Sequence, residues 1–121
     1  MITEKVVDNS NELSVSNLMP FKVGRVMATF EKIEMGASDQ SSVHMDDNIQ
    51  NASHCPASIL PRLLDWHVRY NQRGSSEDIL IEELMANLER IPQKFTYDQS
   101  CLYYLGYYSQ RKMFRESQDL K

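Results

Sequence analysis

Between Pro20 and Met35 the apolar residues return every three to four positions. Val23, Val26, Met27, Phe30 and Ile33 stand at i, i+3, i+4, i+7 and i+10. That period belongs to an α-helix with one buried stripe and excludes a strand, whose side chains alternate at every second residue. Period-two alternation reaches strand length nowhere in the 121 residues. The expected fold is all-α, a compact bundle of four to five helices in one domain. Residues 1–19 are expected to be a flexible N-terminal segment, 20–116 the helical bundle and 117–121 a C-terminal tail.

The first helix is expected from about Pro20 to Met35, with Asn17 as a suitable N-cap and Gly36 as its stop. Gly24 costs about 1 kcal/mol relative to Ala in mid-helix. It shares a low-bulk face with Ala28, so another helix or a backbone is expected to approach closely there. Val43, Met45, Ile49 and Ala52 suit a short second helix. A third opens at Pro56 and runs to about Asn71, with Leu60, Leu63, Leu64 and His67 on its buried side. Ser75 or Ser76 caps a fourth, expected to run until Pro92. Thr96 and Gln99 form a capping box for the last helix, worth about 1 kcal/mol. On that helix Cys101, Leu102, Leu105 and Tyr108 read as the buried stripe, and Gly106 suggests close packing. Tyr103 and Tyr107 read either as core residues whose hydroxyls reach the surface, or as contacts to a partner or a base.

Composition removes several classes. The longest uncharged apolar run, Cys101 to Tyr108, is eight residues, far short of the ~20 a membrane helix needs, so no membrane partner is expected. No basic stretch followed by an apolar run opens the chain, and the expected compartment is the cytoplasm. Cys55 and Cys101 stand 46 positions apart, a pattern of neither a disulfide framework nor a zinc site. They are expected to be reduced and at least partly buried. There is no Gly-rich phosphate loop, His-Glu-x-x-His or nucleophile elbow. The adjacent pairs Asp46-Asp47 and Glu82-Glu83 read as solvated faces. The sequence therefore gives no support to an enzyme, and no cofactor, metal ligand or catalytic residue is expected.

Charge is more informative. The net charge is −4, against the basic balance of most nucleic-acid binders. Its distribution is uneven: residues 74–110 carry −4 and residues 111–121 carry +2. Lys22, Arg25 and Lys32 lie within about 80° of one another on a helical projection, with Thr29 between them. They are expected to face away from the Val23/Val26/Phe30 stripe. Arg62, Arg69 and Arg73 fall within about 40° on the third helix. Arg111, Lys112 and Arg115 close the last one. These rows are either solubilising charges, the terminal trio also complementing a helix dipole, or phosphate contacts on adjacent helices.

Three blocks carry a family resemblance. Pro20-Phe-Lys-Val-Gly-Arg-Val-Met-Ala-Thr-Phe-Glu-Lys-Ile-Glu34, Cys55-Pro-Ala-Ser-Ile-Leu-Pro-Arg-Leu-Leu64 and Phe95 through Leu105-Gly-Tyr-Tyr-Ser-Gln-Arg111 come in one order and spacing. They resemble the C-terminal region of the large subunit of the type I-C CRISPR Cascade complex, a region also made separately as its small subunit. A chain of this size is similar to that small subunit. Ser109 departs from the family's usual His, and Asp46, Asp47 and Asn48 replace its basic and aromatic residues in the loop 37–54. Residues 1–19 have no evident counterpart.

The resemblance implies a non-catalytic helical subunit in a crRNA-guided complex. It would support the crRNA–target heteroduplex and the displaced non-target strand. The implied partners are the backbone and large subunits of Cascade, further copies of the chain, crRNA and DNA. The implied contacts are Lys22, Arg25, Lys32, Arg62, Arg69, Arg73, Arg111, Lys112 and Arg115. A second reading is a helical protein-interaction module, such as a Cascade mimic or inhibitor, with no nucleic-acid role. A third is a metal-dependent hydrolase using His44, Asp46 and Asp47. Arg25 has its own alternative, a pairing inside the bundle with a carboxylate of the acidic helix 77–89. The purified chain is expected to give a helix-dominated circular dichroism spectrum, and a strand-dominated one would end the bundle reading.

Overall fold

A computed structural model of the chain describes residues 18–37, 45–70, 74–86, 88 and 90–119. Among these lie five helices and no strand: α1 (Met19–Ala37), α2 (Met45–Ala52), α3 (Pro56–Tyr70), α4 (Ser76–Met85) and α5 (Tyr97–Asp119). Among the described residues, no helix is long and apolar enough to cross a membrane.

The centre is α1, whose middle is buried on nearly every side: Val23, Gly24, Val26, Met27, Ala28, Thr29 and Phe30 are all buried. A helix enclosed in this way needs packing elements around it rather than against one stripe. α5 supplies the most extensive of these contacts and α4 covers another side. α2 packs mainly on α3. α1 and α5 run in the same direction, since Phe21 meets Gly106, Arg25 meets Gln110 and Lys32 meets Phe114.

The two glycines expected to mark close approach meet at this contact. A Cβ added to Gly24 would overlap the Tyr103 carbonyl oxygen and come within 2.8 Å of Tyr107 N. A Cβ at Gly106 would overlap the Phe21 carbonyl oxygen. Each glycine admits the opposite backbone, and neither neighbour is a flexible side-chain end that can swing aside.

This contact also overturns the expected stripe on α5. Tyr103, Gly106, Tyr107 and Gln110 are the buried positions, while Cys101 is exposed and Leu105 and Tyr108 remain 58% and 57% accessible. Approach through Gly106 turns the tyrosine face inward, and the more aliphatic face outward. Cys101 is therefore not the partly buried thiol expected, although both cysteines are free and Cys55 is half-buried. Polar bonds compensate for the inward polar groups. The Tyr103 hydroxyl donates to Ile49 O at 2.8 Å, tying α5 to α2. Ser100 Oγ donates to Ser53 O at 2.6 Å, and Phe95 N donates to His54 O at 2.8 Å.

The capping box of α5 forms as expected: Thr96 N donates to Gln99 Oε1 at 2.8 Å and Gln99 N donates to Thr96 Oγ1 at 3.2 Å. Ser75 caps α4 by accepting from Asp78 N at 3.1 Å. His67 joins this corner, with Nε2 2.7 Å from Asp78 Oδ1 and its ring edge-on to Phe30. α4 is shorter than expected. It ends at Met85 with a tightened bond from Ala86 N to Glu83 O, and Leu88 and Ile91 pack against the core outside any helix. The expected stop, Pro92, lies seven residues beyond the observed end at Met85, so the apolar spacing of Leu88 and Ile91 overextended this element. α1 passes through Gly36 to Ala37, and α5 continues beyond 116 to Asp119. Asn17, Val43 and the segment 1–17 lie outside the described residues.

Gly24→Ala or Gly106→Ala is expected to cost about 3 kcal/mol or more, outweighing the roughly 1 kcal/mol of helix propensity gained. Gly74→Ala, at φ 85° in open space, should cost only about 1–2 kcal/mol. Urea titration of the three variants measures the order. Burial, foremost, pushes the Tyr103 and Tyr107 phenols well above the usual tyrosine range. A tyrosine in the unfolded chain ionises near pH ~10, so the fold keeps its full stability below that pH and loses it as pH rises further. In an alkaline absorbance titration of the six tyrosines, these two should ionise last, together with loss of helical signal.

Candidate nucleic-acid interface

The same-direction pairing of α1 and α5 brings Lys32 of the first basic row to the end of the bundle that carries the terminal trio. Lys32 Nζ lies 5.1 Å from the ring centroid of Phe114, one residue from Arg115. Arg111 and Lys112 stand one turn earlier on α5. Lys112 and Arg115 are exposed, Lys32 is half-buried, and the Arg111 side chain is 48% accessible. The resulting end carries Lys32, Arg111, Lys112 and Arg115 from helices far apart in sequence.

Helix-dipole complementation does not account for the terminal trio. α5 runs on to Asp119, and its last turn carries no basic residue. The dipole effect falls off within the last turn, leaving solvation, ion pairing or an external anion as uses for these charges. Lys112 Nζ is 3.9 Å from Glu116 Oε2, an exposed pair one turn apart on the helix surface. Such a pair is worth about 0.3–0.5 kcal/mol and leaves the ammonium free to exchange partners. Arg111 is held more firmly. Its Nε is 3.7 Å from Glu31 Oε1, and its guanidinium lies 5.5 Å and 5.8 Å from the ring centroids of Tyr107 and Tyr108.

Arg25 sits differently from the expectation. It does not project into solvent opposite the core stripe, because α5 packs on that side of α1. Thr29, expected on the same outward face, is fully buried and donates to Arg25 O at 2.8 Å. Arg25 Nε donates to Gln110 Oε1 at 2.8 Å, and Gln110 is 2% exposed. Burial lowers the Arg25 pKa, with the charge of Glu83 on α4 opposing. The expected carboxylate pairing with the acidic helix is thus an electrostatic contribution, and the direct partner is an amide. Lys22 is half-buried at the other end of α1.

On α3, Arg62 is exposed, and Arg69 pairs with Asp65 through Nε at 3.1 Å with both side chains more than half accessible. Arg73 and His44 lie outside the described residues. Among the described residues, no three His, Cys, Asp or Glu side chains are grouped as a metal ion would need.

Sequence reasoning missed Glu31, Gln110 and Phe114, which position the cations. Glu31 accepts the Tyr107 hydroxyl at 2.9 Å on both carboxylate oxygens and faces Arg111. Glu31 is assigned no role by the sequence analysis. Only the i+4 relation between Tyr107 and Arg111 hinted that they share a neighbour.

The sequence model of the CRISPR-associated protein family Cas_Csd1 matches residues 8–115. The chain belongs to this family. It is a type I-C Cascade-related protein. The Cas_Csd1 match starts at residue 8, so much of the 1–19 segment does have a family counterpart. No curated protein matches the chain closely. Two of the blocks that resemble the family are the facing halves of the α1–α5 contact. Phe21, Gly24, Arg25 and Glu31 come from the first, and Tyr103, Gly106, Tyr107, Gln110 and Arg111 from the last.

Arg25→Ala should leave the buried Gln110 amide oxygen without its donor and cost about 1–3 kcal/mol. It should leave the salt dependence of any nucleic-acid binding unchanged. Thermal unfolding and a salt titration on the same variant separate the two effects.

Proposed function

We propose that this chain is a non-catalytic small subunit of a crRNA-guided DNA surveillance complex. Its basic helix faces support the crRNA–target heteroduplex and the displaced non-target strand. The observation that carries the reading is the gathering of Lys32, Arg111, Lys112 and Arg115 at one end of α1 and α5 in a member of the Cas_Csd1 family. Arg62 and Arg69 on the exposed side of α3 offer a second row.

In guided recognition base pairing reads sequence, and protein contacts to the backbone tip a nearly balanced strand exchange. Such contacts need mobile cations rather than base-reading side chains, and the loosely held Lys112 and Arg115 suit that role. A net charge of −4 makes one copy a weak binder on its own. Neighbouring backbone and large subunits, and further copies of the chain, extend the basic surface. The exposed Glu82 and Glu83 of α4 suit a basic protein neighbour. The interaction-module reading, a Cascade mimic or inhibitor, draws on the pairing of Arg69, Arg111 and Lys112 with carboxylates of their own chain.

Lys112→Gln combined with Arg115→Gln tests the first reading in a complex assembled with its crRNA-bearing subunits. Target-DNA affinity should fall, and the slope of log affinity against log salt should flatten by about 0.7–0.9 for each contact removed. Stability should change by no more than about 0.5 kcal/mol. Intact assembly with unchanged affinity and slope would instead favour the interaction module.

A further inference from the structure

Between α2 and α5 the surface opens into a groove of about 410 Å³. Tyr104, Tyr107 and Tyr108 form its aromatic wall, and Glu31, Asp46 and Arg111 are its charged lining. The Tyr104 and Tyr108 rings lie near parallel, 28° apart in plane with centroids 6.5 Å apart, and Tyr107 stands edge-on to Tyr108 at 77°.

Arg111 demonstrates what this wall accepts. A planar guanidinium lies over two of the rings and faces a carboxylate, the combination that favours arginine over a compact ammonium. It does not exhaust the groove. Two carboxylates stand against one guanidinium, and Asp46, exposed at the edge, forms an ion pair with none of the described residues. A phosphodiester entering here would meet Glu31 and Asp46, whereas a second cation is attracted by both and by the ring faces.

We propose that the groove between α2 and α5 is a docking site for an arginine side chain of a neighbouring protein chain, seated along Tyr104 and Tyr108 against Asp46. Of the four cations that carry the nucleic-acid reading only Arg111 lines the groove, so the Lys112/Arg115 test of that reading and the test of this site fail independently.

The test follows amide NMR signals of the full chain during titration with N-acetyl-arginine amide. Parallel titrations use N-acetyl-citrulline amide, its uncharged isostere, and a single-stranded oligothymidine. The arginine derivative should shift signals of α2 and of α5 around residues 104–111, and citrulline should not. Asp46→Asn and Tyr108→Ala alter exposed side chains, so circular dichroism should stay unchanged. Each should weaken the arginine response by about three- to fivefold, the size of an exposed ion pair or cation–π contact. The proposal is overturned if arginine gives no shift, if citrulline matches it, or if Asp46→Asn leaves the response unchanged. It is also overturned if oligothymidine moves the same signals and Asp46→Asn strengthens that binding, which would make the groove a phosphodiester surface.

Discussion

Two backbones touch where α1 crosses α5, and most of the molecule's polar architecture follows from that contact. Gly24 and Gly106 let each helix lie against the main chain of the other. Approach through these positions leaves Tyr103, Tyr107 and Gln110 no outward direction. A buried polar group without a partner costs about 1–3 kcal/mol, a large fraction of a domain's stability. The Tyr103 hydroxyl therefore needs Ile49 O, the Tyr107 hydroxyl needs Glu31, and Gln110 needs Arg25. The first of these bonds fixes α2 on α5. The second fixes the carboxylate that holds Arg111.

The same contact divides the basic residues into two populations. Arg25 is half-buried in the helix interface, and its guanidinium is committed to Gln110. Lys112 and Arg115 lie on the other side of α5, where a partner is an exposed glutamate or solvent. Arg111 stands between these populations, half accessible and anchored by Glu31 and two rings. An exposed lysine can trade a surface glutamate for a phosphate at little cost. Arg25 cannot make that exchange without leaving Gln110 unpaired inside the bundle.

The bundle was legible in the sequence because helical period, capping residues and small-residue spacing are local signals. Thr96 with Gln99, Ser75 with Asp78, and the Val23/Val26/Phe30 stripe all behave as their sequence positions require. The face of α5 was not legible, since hydropathy ranked Leu105 above Tyr103, while packing selected the face carrying Gly106. The end of α4 was missed for a related reason: Leu88 and Ile91 reach the core without a helix. Arg25 was misplaced because a helical projection separates polar from apolar sides but cannot reveal a second helix covering the polar one. Only a pairing of distant residues supplies that information, and Arg25 and Gln110 are 85 positions apart.

That distinction bears on what the family resemblance can carry. Two of the three blocks that resemble the family meet through Gly24 with Tyr103, Phe21 with Gly106, Arg25 with Gln110, and Glu31 with Tyr107 and Arg111. A helix crossing that admits no Cβ and must pair every inward polar group tolerates few substitutions, whatever the molecule binds. Similarity in these blocks therefore reports the fold first. Surface rows such as Arg62 with Arg69, or Lys112 with Arg115, obey no such constraint, and a cation can move by one turn while still reaching a phosphate. Evidence for nucleic-acid contact accordingly has to come from residues outside the crossing. Asp46 at the mouth of the tyrosine groove shows the same freedom, since α2 keeps Met45, Ile49 and Ala52 buried while its outward positions carry acids. The crossing sets the geometry of the bundle, and the outward positions on α2, α3 and α5 set what it can meet.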